Sequence, residues 1–318
     1  MRLRLQQLGV PLKYNDAVVL FQASRKLGCA VSALSEPVIV RRSLDARARN
    51  SEPLHVLTVE LTLSLPALPR TAPLPLIEIL GPPEPEPPPL RIDWPVGQPR
   101  PVVVGAGPAG LMAAHQLALA GARPLLIDRG EPADARNLKV AQFWNLGILD
   151  PESNVLYGEG GAGLFSDGKL TARSKDRKHI REFMQVLHAC GADASVLIDA
   201  EPHLGSDRLL EIVARIRARI LAAGGEIRFQ SRLDDLHIEN GQLRGLVVNG
   251  AEIPCTHCVL AAGHSARDVH ALLAKRSVAL QPKPLPWASA WRSPRRPSTT
   301  PNMAASPPSP CWAPPVSA

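Results

Sequence analysis

The feature that most confines this 318-residue chain is the run Val102–Gly110, VVVGAGPAG, followed by the small-residue stretch Leu111–Ala120. The valines read as a short buried strand, and glycines at 105, 107 and 110 give the spacing G-x-G-x-x-G directly ahead of a helix-forming segment. The spacing has physical content. Gly105 permits a tight turn, Gly107 lets a diphosphate approach the backbone, and Gly110 lets helix and strand pack closely. Pro108 and Ala109 open the helix, whose free N–H groups and positive dipole end would meet the phosphate charge. A second strand, Pro124–Asp128, ends 18 residues after Gly110 at an acid followed by Arg129, where a carboxylate accepts from ribose hydroxyls. The unit predicts dinucleotide binding. Asp128 suits an unphosphorylated ribose, which leaves NAD and the ADP half of FAD both open.

The surrounding sequence divides the chain into four segments. Prolines number 33, with thirteen between Pro66 and Pro101 and eleven between Pro282 and Pro315, so one continuous fold from end to end is excluded. Residues 1–65 read as a small α+β domain. They hold a helix from Ala17 to Leu27 stopped by Gly28, a strand near Pro37–Val40, and an alternating strand near His55–Leu65. Residues 66–100 read as a proline-rich linker. Residues 101–284 carry the dinucleotide-binding domain, with further helices near His179–Ala189 and Asp207–Ala223, the latter capped by Ser206 or Asp207. Strands follow at Ile227–Gln230, Asp234–Glu239, Gln242–Val248 and Cys258–Ala261. That order predicts a Rossmann-like α/β fold with a largely parallel sheet. Residues 285–318 show neither helical nor strand period and read as a disordered tail.

Charge and cysteine usage narrow the classes. The net charge is +7, but no acid follows Asp268, and six lysines and arginines there supply nearly the whole excess. The basic balance is therefore poor evidence for a nucleic-acid partner. Arg41, Arg42, Arg47 and Arg49 lack interleaved aromatics and read as a solvated face. Five scattered cysteines suit a reducing, cytoplasmic setting, and Cys255–Cys258 lacks a second ligand pair for zinc. Val102–Ala122 is uncharged and long enough to span a bilayer, yet its glycines, Pro108, His115 and Gln116 fit strand–turn–helix better.

A second glycine-rich stretch, Tyr157–Arg173, groups Gly160, Gly161, Ala162, Gly163 and Gly168 around Ser166, Asp167 and Lys169. Such a loop lets backbone approach a ligand closely. Here the chain resembles a family of uncharacterised FAD-dependent dehydrogenases/oxidoreductases, long bacterial flavoproteins with a small N-terminal domain. The matching stretches are RRSLDAR from Arg41, VVVGAGPAGL from Val102, FWNLGILDPESNVLYGEGGAGLFSDGKL from Phe143, EPHLGSDRL from Glu201 and VLAAGHSARD from Val259. The resemblance implies a glutathione-reductase-like fold with FAD as cofactor. It would span the Gly105 turn, Asp128, the Gly160–Lys169 loop and the turn Ala262–Gly263–His264. Substrate, catalytic residues and electron partner are not implied. An NAD(P)-linked dehydrogenase and a non-enzymatic product stand as the alternatives.

The resemblance ends after Lys283–Pro284, where acids and periodicity vanish together, and this predicts a reading-frame change. Codons can be chosen for Leu285–Ser293 so that reading one base earlier gives FAVGVRVEI, a strand-like continuation. Sequencing of the locus tests that expectation.

Overall fold

The computed structural model describes residues 1–281 other than 48–51, 70, 83–84, 86–87, 171–173 and 175. Arg49, the end of the Tyr157–Arg173 stretch and the expected tail and frame change lie outside the described residues. Met1–Ala279 forms one compact unit, within which the contacts below are made.

The N-terminal part is a four-stranded antiparallel sheet, order β2-β3-β1-β4, crossed by one helix. Its elements are β1 (Arg2–Pro11), α1 (Asp16–Leu27), β2 (Leu34–Asp45), β3 (Leu54–Leu63) and β4 (Ile77–Leu80). The alternation in β3 places Leu57, Val59, Leu61 and Leu63 inside, against Leu3, Leu5 and Leu8 of β1 and Val19 and Leu27 of α1. Gly28 ends α1 in the left-handed conformation, φ +73°, as the sequence predicts. Two features differ from expectation. Arg2–Pro11 is a strand that the sequence reading did not assign, and β4 lies inside the stretch read as a linker, antiparallel to β1. A short edge strand tolerates the surrounding prolines because only one side must donate hydrogen bonds.

The second part contains β5 (Val102–Val104), α2 (Pro108–Leu119), β6 (Leu125–Ile127), α3 (Ala133–Leu146), α4 (Arg177–Ala189) and α5 (Ser206–Ala222). Then follow β7 (Glu226–Arg228), β8 (Leu233–Glu239), β9 (Gln242–Val248), β10 (Ala251–Pro254), β11 (Cys258–Leu260) and α6 (Arg267–Lys275). A parallel sheet of order β11-β5-β6-β7 forms its centre. One face of that sheet, with Val103 and Leu126, packs against α2, α4 and α5. The other face, with Val102, Val104, Leu125 and Ile127, packs against Leu233, Leu236, Leu246 and Val248. Burial on both faces explains why these strands show no alternation. The expected largely parallel character holds for this sheet alone, because β8, β9 and β10 pair antiparallel through tight turns. Gly205, one position before the expected caps, precedes α5. Val102–Ala122 is strand, turn and helix, and no described helix is long and apolar enough to cross a membrane.

The two parts meet at Arg42. Its N–H donates to Ile198 O at 2.7 Å, Ala200 N–H donates to Arg42 O at 2.9 Å, and its guanidinium grips Asp199 at 2.7 and 3.1 Å. The basic stretch is thus partly engaged rather than wholly solvated.

Candidate functional site

Backbone geometry builds the site. β5 runs into Gly105, whose φ of +104° favours glycine and whose N–H donates to Ile127 O at 2.7 Å. A Cβ on Gly105 would stand 2.4 Å from Ala261 O, and one on Gly110 would stand 1.7 Å from Gly105 O. Both glycines are demanded by packing. Gly107 differs: its backbone is extended, φ −69° and ψ 179°, and an added Cβ would meet nothing within 4 Å. The middle glycine therefore borders open space at the N-terminus of α2, where no neighbouring atom requires it to be glycine.

Two further loops close on this turn. Gly160 N–H donates to Ala106 O at 2.8 Å, and a Cβ on Gly161 would lie 3.0 Å from Pro108 Cδ and 3.5 Å from Gly107 Cα. Gly160 to Gly163, including Ala162, lie at the start of a short 3-10 turn, Gly161–Phe165, over the opening of α2. From the other side, Ala261 N–H donates to Val104 O, and Ala262 N lies 3.3 Å from the Cβ position of Gly105. Gly263 and Gly163, like Gly107, have nothing within 4 Å of an added Cβ. An apolar cavity of about 110 Å³ lies alongside, lined by Pro108, Leu111, Met112, Gly160, Gly163 and Leu164 among others.

Asp128 sits at the end of β6 as the spacing predicts, but its carboxylate faces the turn. Oδ2 accepts from Ala106 N–H at 2.6 Å and Oδ1 accepts from Gly130 N–H at 2.7 Å. Burial raises its pKa from the ordinary carboxylate range, against the pull of those two amides. Each oxygen keeps a further lone pair beyond these bonds. Arg129 pairs with Asp268 and Glu152, and its guanidinium lies 4.8 Å from the centre of the Tyr157 ring, whose hydroxyl donates to Ser265 O at 2.8 Å. It joins the loop preceding Gly158 to the segment after β11.

The remaining expected residues gather less tightly. Ser166 and Lys169 border the apolar cavity with Pro108, while Asp167 and Lys169 form an ion pair in solvent at 3.1 Å. Gly168 packs on Leu204, with Leu204 N–H donating to Gly168 O, so it serves the loop's own fold. His264 is exposed. Cys255 and Cys258 lie at β11, where burial pushes the Cys258 thiol up to about 12 and removes thiolate character.

Two buried charged residues escaped the sequence reading. Arg136, on α3, is fully buried and donates to Asn154 O, Val155 O, Glu159 O and Gly161 O at 2.7–2.9 Å. Glu159, also buried, accepts from Ala133 N–H at 2.8 Å and from Arg217 of α5 at 2.9 Å. Burial raises the pKa of Glu159, and it lowers that of Arg136 to about 10. Nothing in spacing or periodicity marks these residues, because their partners are backbone groups or residues far along the chain.

Residues 101–304 match the family described as FAD dependent oxidoreductase, a match that runs past Pro284. An uncharacterised protein of Clostridium beijerinckii is 45% identical over 184 residues, covering 58% of this chain and 34% of that protein. A thiamine thiazole synthase of Aeropyrum pernix is 29% identical over 152 residues, covering 48% of this chain and 44% of its own. The chain thus spans less than half the length of these curated relatives. Among solved structures, Thermovibrio ammonificans THI4 is 18% identical with a TM-score of 0.37, covering 57% of this chain and 64% of its own. Glycine oxidase from Bacillus cereus is 17% identical with a TM-score of 0.31, covering 56% and 58%.

Proposed function

The chain belongs to the FAD dependent oxidoreductase family, and we propose that its three converging loops hold the FAD of a flavin-dependent oxidoreductase whose substrate is still to be found. The carrying observation is the contrast among the three glycines of the turn. Gly105 and Gly110 are crowded by backbone, whereas Gly107 faces space that a diphosphate would fill.

In this reading Gly105–Gly110 and the N-terminus of α2 bind the diphosphate through backbone N–H groups and the helix dipole. Asp128 holds the turn through Ala106 and Gly130 and uses a remaining lone pair toward the adenosine ribose. Gly160, Gly161, Ala162 and Gly163, with Ala262 and Gly263, border the cofactor from either side. Arg129 braces those two borders through Tyr157 and Asp268. Ser166, Asp167, Gly168, Lys169 and His264 form the outer margin of the site. FAD, when bound, supplies the acceptance and return of electrons, and the protein supplies binding, orientation and electrostatics. The N-terminal sheet is proposed as a small domain that reaches Leu80 and packs within the same compact unit as the dinucleotide part. A reducing, cytoplasmic setting is proposed on the few, scattered cysteines of the sequence.

The test uses the whole chain, purified and titrated with FAD. Flavin absorbance near one equivalent is expected. Gly107→Leu, which meets no protein atom at Cβ, should leave the melting temperature of the apoprotein unchanged while weakening FAD about 100-fold, some 2.7 kcal/mol. Undiminished FAD affinity in a folded Gly107→Leu variant would falsify the assignment of this turn.

A further inference from the structure

A buried guanidinium ordinarily costs several kcal/mol unless partners repay its lost hydration. Arg136 is 0% exposed. Its four hydrogen bonds all go to backbone carbonyls between residues 154 and 161, and none goes to a carboxylate. The surroundings are shaped to admit it. A Cβ on Gly158, whose φ is +111°, would stand 2.6 Å from Arg136 Cδ. The Phe165 ring lies 4.8 Å from the guanidinium carbon, and Trp144 meets that ring edge-on at 5.8 Å. The carboxylates of Asp128 and Glu159 act on it through space.

The segment so gripped is the one that closes on the dinucleotide turn. Gly161, whose carbonyl Arg136 holds, lies against Pro108 and Gly107, and its neighbour Gly160 donates to Ala106. Glu159, whose carbonyl Arg136 also holds, anchors its carboxylate on Ala133 N–H and Arg217.

We propose that Arg136 is the positioning residue of this site: its planar fork locks residues 154–161 against the Gly105–Pro108 turn and holds one positive charge behind the loop that would border FAD, so that it sets both cofactor affinity and flavin environment. This rests on the FAD reading of the site. Planarity matters because a lysine ammonium cannot serve carbonyls on both sides of a fork at once. The charge remains in place at neutral pH, since burial lowers its pKa only to about 10.

The experiment titrates the full chain and two variants, Arg136→Lys and Arg136→Met, with FAD by flavin fluorescence, and records the visible band at saturation. Arg136→Lys keeps the charge and loses the fork, and should weaken FAD about tenfold; Arg136→Met loses both, and should weaken it about 100-fold. The band of the bound flavin should shift in the methionine variant. If the unaltered chain takes up no FAD, the reading of the site fails. If it does, and both folded variants match it in affinity and band shape while only apoprotein stability falls, the residue is structural and this inference alone is overturned. Should both variants fail to fold, amide hydrogen exchange on the unaltered apoprotein decides. Residues 158–161 should be protected as strongly as β5, and exchange at open-chain rates there overturns the proposal.

Discussion

The N-terminal sheet and the dinucleotide unit bury similar aliphatic side chains but treat charge in opposite ways. In the sheet the charges stay at the rim: Arg4 reaches Glu60 and Glu78 at 2.7 Å, with all three side chains at least partly exposed. Its interior is Leu3, Leu5, Leu8, Leu27, Leu57 and Leu63. The dinucleotide unit instead buries Asp128, Arg136, Glu159 and His115, each within 6% of complete burial. Buried charge is a weak source of stability, so its concentration in one unit points to positioning rather than strength. The glycines divide the same way. Gly9 in β1 would place a Cβ 3.9 Å from Leu54, an ordinary contact, whereas Gly110 has no room at all.

The comparison breaks most sharply at those glycines. Gly110→Ala should destabilise the dinucleotide unit by about 4 kcal/mol or prevent its folding, because the obstacle is a backbone oxygen that no rotamer change can move. Gly9→Ala should change stability by no more than about 0.5 kcal/mol. Denaturant midpoints of the two variants measure the difference, and a mild Gly110→Ala would remove the close-packing argument. Next in size is Leu5→Ala, which empties a fully buried site in the sheet and should cost about 3 kcal/mol. If the sheet only supports the site, FAD affinity of the folded fraction should be unchanged. A parallel loss of affinity would mean that the two regions are energetically coupled.

The strand-like contact at Arg42 gives a smaller effect. Arg42→Ala removes a bidentate pair whose two side chains are each 28% exposed, so about 1 kcal/mol is expected, discounted for solvent screening. The backbone bonds to Ile198 and Ala200 survive the substitution. Limited proteolysis between residues 81 and 100 should then quicken if Arg42 holds the sheet in place.

What the sequence disclosed, and what it hid, follows from how local each constraint is. The turn at Gly105 was legible because its three demands fall within six residues, and β3 because alternation repeats in the side chains themselves. Arg136 and Glu159 were hidden because carbonyls 18 to 25 residues away, and Arg217 58 residues away, satisfy them without any repeated spacing. Helix α3 lacks a strong apolar stripe, since Leu138, Trp144 and Leu146 are exposed on it. Strand β4 was masked by its proline neighbours. Asp128 shows the middle case: its position was readable, but its grip on Ala106 and Gly130 is a tertiary fact. Family membership supplied FAD, which the acid alone left undecided against NAD.

The smallest expected effect appears only on titration, and it tests whether buried polar groups in the dinucleotide unit are tolerated at a cost. His115 lies on α2, 2% exposed, with neither ring nitrogen hydrogen-bonded to protein. Burial, helped by the nearby Arg219 charge, lowers its pKa below the ordinary 6.5. The unfolded chain therefore takes up a proton before the folded chain does. Its contribution to stability is intact above pH 6.5 and is lost as pH falls from there through the folded-state value. The exposed His179 and His237, whose carboxylate partners raise their pKa values, act in the opposite sense as pH rises. A difference measurement separates them. His115→Leu should flatten the decline of stability below pH 6.5 relative to the unaltered chain and leave the neutral-pH fold intact, since no hydrogen bond is lost. Identical pH profiles for the two chains would place the acid sensitivity elsewhere and weaken the contrast between the charged and uncharged cores.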